Sequence, residues 1–143
     1  MRAFICLSLL LFSITFAEED QKFFEKRYKT KIEGVKAKSE YDDPDSFYSA
    51  IAAQLGIPQV AFSAVTKKYG WKKNKDKTMM QKAIVRRSDG QWIIMLFQMK
   101  VDLERKRPIM DSMEQKWAVV NDDKKVVYIG DKQPGKKSSN NAE

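Results

Sequence analysis

Residues 67–77 read KKYGWKKNKDK, six lysines interleaved with Tyr69 and Trp71. Ammonium groups at this density attract phosphates, lipid headgroups or acidic protein surfaces. An indole among them can stack on a base or dip into an interface. Lys67, Lys68, Trp71, Lys72, Lys73, Lys75 and Lys77 are therefore the expected anion- or partner-binding residues. Part of the run also suits a helix end, where cations complement the negative pole of the peptide dipoles. A second group, Ile84, Arg86, Trp92, Ile94 and Leu96, falls in strand-forming sequence and would share one sheet face. It is the expected apolar partner face, with Arg86 opposite Trp92 in a cation–π contact of ~0.5–1 kcal/mol.

Composition removes many chemistries. The chain has no histidine, and its one cysteine, Cys6, lies in an apolar leader. Serine–histidine triads and thiol nucleophiles are thus excluded, and zinc, copper or haem would lack their usual ligands. No phosphate-cradling glycine loop occurs. A glycosidase-type carboxylate pair ~5–10 Å apart remains open, but no spacing singles one out. The expectation is a non-catalytic protein with no cofactor, no metal and no catalytic residue to name. With 27 Lys/Arg against 19 Asp/Glu the net charge is +8, which favours an anionic component or an acidic protein as partner.

The first 17 residues, MRAFICLSLLLFSITFA, have the zones of a cleaved secretory signal. Arg2 precedes an apolar stretch over residues 3–12, and Thr15 and Ala17 are small at the cleavage site. The stretch falls short of the ~20 residues that span a bilayer. Beyond it there is no cysteine for a disulfide and no Asn-x-Ser/Thr sequon. Both absences point to a bacterial envelope, most simply the periplasm, rather than to a disulfide-stapled secreted factor.

The elements that must position these residues follow from periodicity and punctuation. Phe24, Tyr28, Ile32 and Val35 recur at helical spacing, opposite Lys22, Lys26, Lys29, Lys36 and Lys38. This stretch predicts a docking helix over the sheet, or alternatively a basic amphipathic helix on a membrane or lipopolysaccharide surface. Asp43 and Pro44 start a helix that Gly56 stops. Pro58 opens another helix, which runs to about Tyr69. Around Gly56, the apolar Ile51, Ala52, Leu55, Ile57 and Val65 make the segment resemble the helix-turn-helix of DNA-binding regulators. That resemblance would imply DNA reading by the second helix. Any tight helical hairpin fills those positions the same way, so the segment is read as packing and nucleic acid is not the expected partner.

Strands follow. Residues 79–87 and 91–104 predict a hairpin on the three-residue loop Ser88-Asp89-Gly90, with Val85 opposite Ile93 and Ala83 opposite Met95. The face carrying Ala83, Val85, Ile93, Met95, Phe97, Met99 and Val101 is expected to pack on the helices. The opposite face is then either covered by residues 22–35 or open to a partner. Lys106-Arg107-Pro108 breaks the strand. Residues 115–130 predict a second hairpin turning at Asp122-Asp123, with Trp117 near Tyr128 and Val119 near Val126. The prediction is one α+β domain over residues 18–130, helices packed on a four-stranded antiparallel meander, with a disordered polar tail over residues 131–143.

Overall fold

The computed structural model describes residues 20–135. The leader and the last eight residues of the predicted tail lie outside the described residues. Three helices precede four strands, in the α+β arrangement the sequence predicts.

Helix α1, Gln21–Tyr28, starts on an Asp20 cap whose carboxylate accepts the Phe23 N–H at 2.9 Å. It stops at Lys29, which takes a left-handed conformation at φ 51°. The helix is thus shorter than its periodicity suggested; beyond it an irregular segment carries Ile32 into the core. Helix α2, Pro44–Leu55, has the predicted start: Asp43 accepts the Ser46 N–H at 3.0 Å and Pro44 supplies a preset φ. Gly56, at φ 76°, ends it and turns the chain through a 73° bend into α3, Ile57–Tyr69.

Strands β1 (Lys77–Arg86), β2 (Trp92–Asp102), β3 (Arg107–Val120) and β4 (Val126–Gly130) form an antiparallel sheet in sequence order. The first hairpin closes on Ser88-Asp89-Gly90, with Arg87 N–H donating to the Gln91 carbonyl at 2.8 Å. Gly90 holds the left-handed position at φ 84°, and Val85 faces Ile93 as predicted. Strand β3 starts at Arg107, well before the predicted residue 115. The rungs jump from Gln98–Glu114 to Lys100–Ile109, so residues 110–113 are looped out of the ladder. Ser112 Oγ repairs the gap, accepting the Lys100 N–H at 2.8 Å and donating to the Ile109 carbonyl at 2.6 Å.

The second hairpin repeats the loop of the first, with Asp122-Asp123-Lys124 at its tip and Lys124 (φ 61°) in glycine's place. Its register corrects the prediction: Val119 faces Tyr128 and Val120 faces Val126, with Val127 bulged between. A three-residue loop plus a bulge shifts the pairing by two residues relative to a turn centred on Asp122-Asp123.

The sheet also presents its other face to the helices. Ile84, Trp92, Ile94, Leu96, Ala118 and Val120 pack against Phe24, Phe47, Ile51, Leu55, Ile57, Ala61 and Val65 to form the core. Each fully buried large apolar side chain contributes ~1.5–3 kcal/mol. Ala83, Val85, Ile93, Met95 and Phe97 lie on the outer face, opposite to the prediction. Strand β2 is apolar on both sides, so alternation alone cannot orient it. The inner position suits Trp92 because its indole N–H finds the Tyr28 hydroxyl at 3.2 Å there.

Candidate functional site

The predicted apolar partner face is core. Ile84, Trp92, Ile94 and Leu96 are fully buried, and Arg86 is 8 % exposed. They cannot meet a partner in the folded chain. The cover comes partly from α1, whose Phe24 ring lies 5.7 Å from Trp92, and partly from Tyr48 on α2 at 6.3 Å. Since Phe24 and Ile32 are spent on the core, the apolar stripe expected of a membrane-lying helix is not on the surface. Of that segment's large apolar side chains, Phe23 is exposed.

Arg86 makes the predicted contact with Trp92, its guanidinium carbon 4.6 Å from the ring centroid, and lies 4.9 Å from the Phe24 ring as well. This sandwiched cation donates to the Gly90 carbonyl at 2.9 Å and to Asp122 Oδ1 at 3.0 Å. The same carboxylate oxygen accepts the Tyr28 hydroxyl at 3.0 Å, and Tyr28 in turn accepts the Trp92 indole N–H. Burial pushes the Tyr28 phenol above its ordinary value, opposed by that indole hydrogen bond. The cluster ties α1 to both hairpin tips, and every polar group in it is occupied by another, so its evident work is structural.

The lysine run divides. Lys67, Lys68, Lys72, Lys73 and Lys75 are exposed and Lys77 is half-buried. Lys67 and Lys68, on the last turn of α3, lie beside β4: Lys68 donates to the Ile129 carbonyl at 3.2 Å, and Lys67 flanks a shallow hollow with Val126. Lys73 and Lys77 instead flank a hollow with Phe62 and Met79 at the β1 edge. Trp71 departs from the prediction. It is 3 % exposed, with its indole N–H on Glu114 Oε2 at 3.1 Å, so it neither stacks nor inserts. Gly70, left-handed at φ 67°, turns the chain so that the ring folds inward.

What the sequence reading missed lies at the same end of the sheet. There the Asp76 backbone carbonyl accepts the Val101 N–H at 2.6 Å, bringing the lysine loop beside the turn between β2 and β3. That turn exposes Arg105, Lys106 and Arg107, and the chain around it exposes Leu103, Ile109, Met110 and Met113. Leu103 and Met110 are 60 % and 65 % exposed. The available signal was three apolar residues without periodic partners directly after a basic triplet.

The outer sheet face itself is half-covered. Met95, Phe97 and Trp117 are partly buried there, whereas Ile93 and Val119 are buried. Residues 131–135, predicted as disordered tail, lie against this face: Tyr128 donates to the Lys132 carbonyl at 2.9 Å, and a Cβ on Gly135 would sit 3.1 Å from Ile93. The residues that carry the helix-turn-helix resemblance, Ile51, Ala52, Leu55, Ile57 and Val65, are all in the core. No protein-family model, curated protein or solved structure matches the chain.

Proposed function

We propose that the chain is a non-catalytic, exported envelope protein that docks on an anionic surface through the β2–β3 turn end of its sheet. The observation that supports this is the mixture at that end. Leu103, Met110 and Met113 stand exposed beside Lys72, Lys73, Lys75, Arg105, Lys106 and Arg107. Basic side chains near an anionic membrane contribute ~1 kcal/mol each at low salt, and apolar tips add burial once contact is made. Neither alone holds a small protein on a surface; together they resemble a two-signal anchor.

The test is sedimentation of the protein with vesicles of phosphatidylcholine alone or mixed with phosphatidylglycerol. The expected result is recovery that depends on phosphatidylglycerol, weakens with salt, and is lost in Lys72→Glu/Lys73→Glu/Lys75→Glu and in Leu103→Ser/Met110→Ser. Equal recovery with both vesicle types, or unchanged recovery of both variants, refutes it. A protein partner on the outer face is the second reading, favoured by the partly buried Phe97 and Trp117 on that face.

A further inference from the structure

Past Leu96 the inner face of the sheet changes character. Its next rungs pair Gln98 with Glu114 and Lys77 with Lys100, directly beyond the apolar core. Helix α3 ends at Tyr69, and the chain crosses these rungs as the Gly70-Trp71 turn. Between turn and strands lies a cavity of about 140 Å³ lined by Tyr69, Trp71, Lys77, Gln98, Lys100 and Glu114. At ~30 Å³ per water it has room for about four or five waters, or for one small organic molecule.

Its polar lining combines the buried Gln98 with the half-buried Lys77 and, at the open rim, the exposed Lys100 and Glu114. Gln98 is 6 % exposed, yet among the described residues its side-chain amide, which lines the cavity, has no hydrogen-bond partner. No buried side-chain N or O atom among the described residues is left unsatisfied, so this amide reaches the open space of the cavity, where water or a ligand can pair with it. Glu114 accepts the Trp71 indole N–H on one carboxylate oxygen and lies in the field of Lys116; among the described residues its other oxygen accepts no hydrogen bond. Neither Lys77 nor Lys100 forms an ion pair with Glu114, although all three line the same space. The cavity therefore offers a carboxylate, an amide that can donate and accept, and two ammonium groups.

We propose that this cavity binds a small zwitterion of the α-amino-acid type. The ligand's ammonium would be taken by Glu114 and the Gln98 carbonyl oxygen, and its carboxylate by Lys77 and Lys100. A neutral sugar would leave the lysines without a charge partner. A simple anion would leave Glu114 facing like charge. The cavity lies at the same end of the sheet as the docking residues, but its proposed ligand does not depend on docking.

The experiment is an NMR titration of the ¹⁵N-labelled full chain with L-alanine, acetate and methylammonium. L-Alanine is expected to shift the Trp71 indole and Gln98 amide signals saturably, with acetate and methylammonium binding more weakly. Glu114→Gln should weaken L-alanine roughly tenfold or more, the loss of one charge-assisted hydrogen bond. Gln98→Leu should do the same; where that variant fails to fold, Lys100→Gln replaces it. Absence of saturable shifts at these two signals, acetate binding as tightly as L-alanine, or Glu114→Gln binding unchanged would each overturn the proposal.

Discussion

Replacing Asp122 with alanine is expected to be among the most damaging changes available on the surface of this protein. Asp122 has a quarter of its side chain exposed, but the groups it serves are not. The Arg86 side chain is 2 % exposed and loses its Asp122 contact at 3.0 Å, while the Tyr28 hydroxyl loses its acceptor. Breaking a buried ion pair from one side costs ~3–5 kcal/mol, because the remaining charge is stranded. Arg86 keeps the Gly90 carbonyl and two aromatic faces, and water can enter where Asp122 was. The expected loss is therefore ~2–4 kcal/mol, a large share of the ~5–15 kcal/mol that holds a domain folded. Urea unfolding followed by tryptophan fluorescence measures it, since Trp92 sits inside the cluster. The cycle Asp122→Ala, Arg86→Met and the double variant separates pairing from packing. The double variant should be less destabilised than the sum of the singles, since the Arg86–Asp122 contact is lost only once. A loss below ~1 kcal/mol for Asp122→Ala, or strict additivity, refutes the claim that this pair is buried and coupled.

Three further outcomes follow from the same region. Gly90→Ala should destabilise strongly, because Gly90 sits at φ 84° and a Cβ would stand 2.3 Å from Asp122 Oδ2; thermal denaturation equal to the parent would contradict the geometry. Lys124→Gly should stabilise by ~0.5–1 kcal/mol, since a left-handed residue with a Cβ is strained and glycine relieves it against a smaller entropic cost. The check is a rise in the urea midpoint without a change in slope. The Tyr28 phenol is raised above its ordinary value of 10.0, chiefly by burial, so the folded state keeps this proton where the unfolded chain releases it. Stability from this group is complete below pH ~10 and falls as pH rises through the folded value. Tyr28→Phe, measured by urea unfolding from neutral to alkaline pH, should show a shallower alkaline decline than the parent; parallel curves would count against it.

Local chemistry was legible and long-range choice was not. Asp43-Pro44, Gly56 and Ser88-Asp89-Gly90 each announce their conformation within a few residues, and each takes it. The orientation of β2 has no such signal, since Trp92, Ile94 and Leu96 compete with Ile93, Met95 and Phe97 for the same core. The choice rests on partners from α1 and the second hairpin, far away in sequence. Strand β3 starts earlier than its alternation predicts, because residues 110–113 leave the ladder and erase the pattern. The second register slipped because Lys124 takes a conformation that glycine would have advertised. Of the candidate docking end, the lysines were visible in sequence. The apolar tips were not, because their exposure depends on a turn placed by that same irregular strand. Trp71 looked like a surface indole until Gly70 turned it inward.

The hydroxyl of Tyr28 and the carboxylate of Asp122 are 94 residues apart in sequence and 3.0 Å apart in space. Helix α1 is formed from the first described residues of the chain, yet it cannot complete its docking until the β3–β4 loop exists. Closing so long a loop costs entropy that is regained only when the hairpins already stand. The first of the described elements to be synthesised is thus the last to find its place, and until then Trp92 and Arg86 lack part of their cover. That interval, rather than any weakness of the finished fold, is when the chain most needs protection from its neighbours.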